Sequence, residues 1–191
     1  MLKLIDAPAT EPVTLAELKA QCRVDGTDEN ALLTALISTA REQAEHELGR
    51  ALITQTWRLT VDAFPCVELE LGKPDVQGIT SVVYTDTAGA DQTLDSAAYV
   101  LDTSVSPGWL LPAYGYTWPS TLDTAGAVRV TFTCGYGDDA ASVPAGIKTW
   151  ILMRAATLFK FREEIAAGVS VTELPGRFFD RLLDPWRVYG V

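Results

Sequence analysis

The spacing of apolar positions along this chain changes twice, from helical to alternating and back to helical. Thr14 followed by Glu17 has the form of a capping box, so the sequence predicts a short helix running to about Cys22, with Gly26 as the break. A second helix opens at Asp28. Leu32, Leu33, Leu36, Ile37, Ala40, Ala44 and Leu48 return every three or four residues, while Arg41, Glu42, Glu45 and Glu47 mostly take the other face. This is the pattern of an amphipathic helix of about five turns, and Gly49 is a natural stop. From Gln55 the period becomes two, with Trp57, Leu59 and Val61 on one face of a strand. Further strands are predicted at residues 67–71, 79–84, 99–101, 109–111 and 128–133, with turn signals such as Pro107-Gly108, Trp118-Pro119 and Gly135-Tyr136-Gly137 between them. Helical spacing resumes at Pro144, with Ile147, Ile151, Ala155, Leu158 and Phe159 in a stripe widened by Trp150 and Met153; this helix is expected to end near Glu164. A loop over residues 166–173 and a last short helix over 177–183 follow, ended by Asp184-Pro185.

Neither flanking helical segment can bury its apolar stripe alone. The expected fold is therefore α+β: a helical bundle formed by the N- and C-terminal helices, with an antiparallel β domain inserted between them. The boundaries drawn are 1–53 and 142–191 for the helical domain and 54–141 for the insertion. Six or seven short strands suit a sheet, a sandwich or a small barrel.

Charge narrows the function classes. The chain has 191 residues and a formal net charge of −10. Its fifteen Lys and Arg are scattered, so the basic patch that drives phosphate binding is missing, and specific nucleic-acid binding is not expected. The first residues lack a signal-peptide pattern, and no apolar run approaches the length of a membrane span. Cys22, Cys66 and Cys134 are far apart and show no metal or redox spacing. They read as buried thiols in a reducing compartment.

Candidate chemistry is sparse. His46 is the one histidine, on the polar side of the second helix among glutamates, and no G-x-S-x-G elbow accompanies it. Asp138-Asp139 is too few ligands for a cation. Asp86, Asp91, Asp95 and Asp102 fall at turns or strand ends, where aspartate bonds the local backbone. Gly135-Tyr136-Gly137 lacks the lysine and helix placement of a phosphate loop. No catalytic residue, metal ligand or cofactor site is expected. Two apolar sets remain. Trp109, Tyr114, Tyr116 and Trp118 can serve as core, as a subunit contact or as a sugar-stacking surface. Phe178, Phe179, Leu182, Leu183, Trp186 and Tyr189 crowd the chain's end, where cover must come from the domain itself or from a partner.

The order of these motifs resembles the phage head–tail connector family, in the branch with a β insertion between its helices. The resemblance is carried by Pro12-Val13-Thr14-Leu15-Ala16-Glu17-Leu18-Lys19, Arg23-Val24-Asp25 and above all Gly49-Arg50-Ala51-Leu52-Ile53-Thr54-Gln55-Thr56-Trp57. Ser81-Val82-Val83-Tyr84, Val128-Arg129-Val130-Thr131-Phe132-Thr133-Cys134-Gly135-Tyr136-Gly137, Pro144-Ala145-Gly146-Ile147-Lys148 and Leu182-Leu183-Asp184-Pro185-Trp186-Arg187-Val188-Tyr189 continue it. It implies a structural protein without enzymatic activity: a ring of twelve copies beneath the portal protein, assembled in a bacterial cytoplasm and resident in the virion neck. It also implies a next connector or tail protein as partner, DNA passing without specific binding, and no membrane. Phe179, Leu182, Leu183, Trp186, Arg187 and Tyr189 become the expected portal or subunit interface. The competing readings are a carbohydrate-binding or adhesin-like module using Trp109, Tyr114, Tyr116 and Trp118, a hydrolase with an acidic pair, and an interaction scaffold.

Overall fold

The capping box forms as the sequence predicts. The Thr14 hydroxyl accepts from the Glu17 backbone N–H at 3.2 Å, and the Glu17 carboxylate accepts from the Thr14 N–H at 2.6 Å, opening helix α1 (Leu15–Cys22). In the computed structural model, which describes residues 1–161 and 181–188, two further helices follow: α2 (Asn30–Leu48) and α3 (Ala145–Lys160). α1 ends at Cys22 as expected, but the residue that stops it is Arg23, in the left-handed region, rather than Gly26. α2 starts two residues later than expected, because a turn from Thr27 to Asn30 takes up the first acidic residues.

The chain divides into two compact units, residues 10–53 with 137–191 and residues 1–9 with 54–136. In the helical unit α2 packs on α3, and α1 packs on both. Leu18, Leu33, Ile37, Ala40, Ala44 and Leu48 meet Ile147, Trp150, Ile151 and Ala155 in its core. The stripe is rotated slightly from the expected one. Leu32 is 39% exposed, whereas Arg41, assigned to the polar face, is only 6% exposed. Arg41 is tolerated there because Glu11, Glu45 and Glu42 accept from its guanidinium at 2.9, 2.7 and 3.4 Å.

The second unit holds eight strands, all paired antiparallel among the described residues. A five-stranded sheet has the order β1 (Leu2–Asp6), β2 (Gln55–Val61), β8 (Val128–Cys134), β4 (Val76–Thr85), β5 (Asp91–Thr93). A three-stranded sheet has the order β3 (Leu69–Glu70), β7 (Trp109–Pro112), β6 (Tyr99–Asp102). The alternation along β2 is honoured by its register: Trp57, Leu59 and Val61 lie opposite Phe132, Val130 and Val128 of the central, buried β8. Two strands went unforeseen. β1 places the first residues with the sheet rather than with the helices, and β5 is a short polar edge paired with β4.

The cysteine expectation needs correction. Only Cys134 is buried; Cys22 is half-buried, where desolvation pushes its thiol up, and Cys66 is exposed in the connection between β2 and β3. A loop position outside both sheets offers that side chain no core.

Candidate interface surfaces

In the helical unit the tail segment around Leu183 packs on the helices of its own chain. Leu183 is fully buried, and a 3-10 turn at Asp184–Trp186 follows it. Gly146, in the first turn of α3, has no side chain, and the Trp186 indole takes the space. A Cβ there would come within 2.6 and 2.8 Å of the outer ring carbons of Trp186. The Val188 N–H donates to the Leu48 carbonyl at 3.1 Å, satisfying one of the carbonyls left over at the C-terminus of α2. Arg187 reaches Glu47 at 3.2 Å and Asp184 at 3.9 Å. Leu182, Trp186 and Arg187 therefore remain half-buried, with part of each side chain still outward. Phe178, Phe179 and Tyr189 lie outside the described residues, as do the expected loop over 166–173 and most of the last helix.

In the strand unit the four aromatic residues separate. Trp109 pairs with Glu70 and Asp102 in the three-stranded sheet and is half-buried. Tyr114 stands fully exposed in a tight turn closed by the Tyr116 N–H donating to the Ala113 carbonyl, with Gly115 at φ +83°. Tyr116 and Trp118 join Phe64 along a surface groove of 490 Å³ formed by residues 63–67, Pro112 and residues 116–121. Trp118 stacks on Phe64 with ring centroids 4.7 Å apart and 5° between planes, and its indole N–H donates to the Val67 carbonyl at 3.0 Å. Phe64 and its neighbour Pro65 escaped the sequence reading because they sit between strands, outside any periodic run. An aromatic–proline pair at a strand exit was the available signal.

A second groove, of 580 Å³, runs along α2 and α3 past Thr39, Glu42, His46, Trp150 and Arg154. His46 is exposed, and the lining holds no serine or cysteine for it to activate. Among the described residues no group of three His, Cys, Asp or Glu is placed to hold a metal ion. Of the aspartates expected to bond the local backbone, Asp91 instead accepts from the Thr85 hydroxyl and pairs with Arg129 across the sheet, because its edge-strand position faces them; the others do local work. Asp139 accepts from the Ser142 hydroxyl and backbone N–H, both at 3.0 Å, which holds its carboxyl below the usual range. Asp86, Asp95 and Asp102 bond backbone N–H groups two residues on. No described helix is long and apolar enough to cross a membrane.

Residues 12–76 match the family model described as "Phage gp6-like head-tail connector protein". The resemblance drawn from the sequence is thus borne out over about a third of the chain, from α1 through β3. No curated protein matches by sequence. Among solved structures, the whole chain superposes on a chain of the neck of an empty gene transfer agent particle computed with C6 symmetry. The TM-score is 0.78 at 24% identity, over 100% of this chain and 97% of that one. A chain from the virion of the native gene transfer agent particle gives 0.79, and one from its neck computed with C12 symmetry gives 0.71, with the same identity and coverage. The fold is therefore α+β with the architecture of a gene transfer agent neck protein, across both units.

Proposed function

We propose that this chain is a structural head–tail connector subunit in the neck of a tailed phage, prophage or gene transfer particle, where it forms a ring beneath the portal, extends the DNA channel and offers a platform to the next connector or tail protein. The observation that carries this reading is the full-length fold likeness to a neck chain, joined to the connector-family match over residues 12–76. Twelvefold symmetry in the neck of the native particle supports twelve copies. A ring built head to tail asks for two different complementary patches on each subunit. A net charge of −10 suits a wall past which duplex DNA slides without sticking.

The tail is the segment assigned to the portal. Of the six residues assigned to that contact, Leu182, Trp186 and Arg187 are described and keep surface to offer, and Leu183 holds the segment from beneath. Phe179 and Tyr189 complete the assignment from outside the described residues. Removing residues 186–191 is expected to yield filled or empty heads without tails. Because the described tail packs on its own helices, the truncated chain is first checked for its fold by circular dichroism. Gly146→Ala serves as a full-length companion that displaces the Trp186 ring. Normally tailed particles from a folded truncation would remove the tail from the portal contact.

A further inference from the structure

The strand unit is the more acidic of the two, with ten Asp or Glu against four Lys or Arg. Its aromatic groove departs from that background, since none of the twelve residues lining it is charged. Phe64, Tyr116 and Trp118 supply ring surface, and Pro65, Pro112 and Pro119 supply stiff, apolar ridges between them. Directly outside the lining, the chain carries Asp62, Glu68 and Asp123, all exposed, and no basic residue within two positions of the lining segments. The result is a neutral aromatic–proline trough whose lining segments are flanked along the chain by acidic residues, of which Asp62 accepts from the Gly126 N–H at 2.8 Å.

We infer that this groove binds an extended, proline-containing segment of a partner protein that has a lysine or arginine beside the proline. Proline-rich segments enter aromatic-lined grooves at low entropic cost, because their extended helix is already formed before binding. The flanking acidic residues select a cationic flank by charge complementarity and speed encounter with it. The trough suits a peptide better than a glycan. The Trp118 N–H is already committed to the Val67 carbonyl and one face of its ring to Phe64. The lining side chains offer only hydroxyls, the indole N–H and the Cys66 thiol, with no carboxylate, amide or guanidinium. Burying a sugar's many hydroxyls without such partners is unfavourable. The inference concerns the strand unit alone and stands apart from the connector reading.

The test is a fluorescence-anisotropy titration of the purified full-length chain. The probes are a labelled polyproline decamer ending in two arginines, the same peptide ending in two glutamates, a glycine–serine decamer ending in two arginines, and a neutral oligosaccharide. Saturable binding is expected for the first alone. Tyr116→Ala, at a position 52% exposed and outside both cores, is expected to weaken it about tenfold. Asp62→Asn with Glu68→Gln should weaken it and flatten its salt dependence. Equal binding of the glycine–serine peptide, preference for the oligosaccharide, or no saturable binding would each overturn the inference. So would sedimentation showing self-association that Tyr116→Ala abolishes, since a second copy would then own the groove.

Discussion

Arg41 concentrates the physical tension of the helical unit. Burial works against its charge, yet Glu45 and Glu11, with Glu42, outweigh that and hold its pKa above the ordinary value. The network reaches further: the Ser38 hydroxyl donates to Glu11 at 2.8 Å, and the Leu52 N–H donates to Glu45 at 3.0 Å. One guanidinium thereby ties the segment before α1 and the turn after α2 to the middle of α2. Removing one partner of such a buried cluster costs more than the cluster contributes, because the remaining charges lose their compensation. Arg41→Ala is expected to destabilise the chain by about 3 kcal/mol in urea unfolding; a loss under about 1 kcal/mol would mean the carboxylates are solvated instead. This residue was misread from sequence because helical periodicity reports polarity, and a charged side chain bound by three carboxylates looks like any exposed one.

At the scale of elements, α1 is short, at 8 residues, and depends on its cap. Glu17 is held below the usual carboxylate range, first by the backbone N–H of Thr14 and then by its hydroxyl. A depressed folded pKa means that this contribution is present above the unfolded pKa and fades as pH falls through the folded value. Thr14→Ala is therefore expected to cost about 1 kcal/mol at pH 7 and less at pH 3, measured by chemical unfolding at both; a penalty that grows towards acid would contradict the capping account. α1 and α3 were legible because the capping box of α1 and the apolar stripe of α3 are written within a few residues. β1 was not. The alternation of Leu2, Lys3 and Leu4 breaks off at Ile5, and Leu4 and Ile5 are both exposed, so the local pattern is too short to mark the strand, whose state is set by pairing with β2 fifty or more residues away. The aromatic site was half legible: Tyr116 and Trp118 were named, but Phe64 joins them only through tertiary folding.

On the scale of the whole molecule, the α+β class followed from two changes of apolar period, and the antiparallel insertion from its turn-bounded short strands. Element pairing was less accessible. The order β1-β2-β8-β4-β5 brings the first and last strands of the chain to within one strand of each other, and no local signal encodes that. A net charge of −10, the half-buried Leu182 and Trp186 at the tail and the uncharged strand-unit groove are the features that the proposed assembly role would use. The proposed place of this chain in a particle's neck is open to electron cryo-microscopy of particles made with and without its gene. A ring of this fold between portal and tail is expected in the first, and only tailless heads in the second. Tailed particles of normal form in the gene's absence would rule that place out.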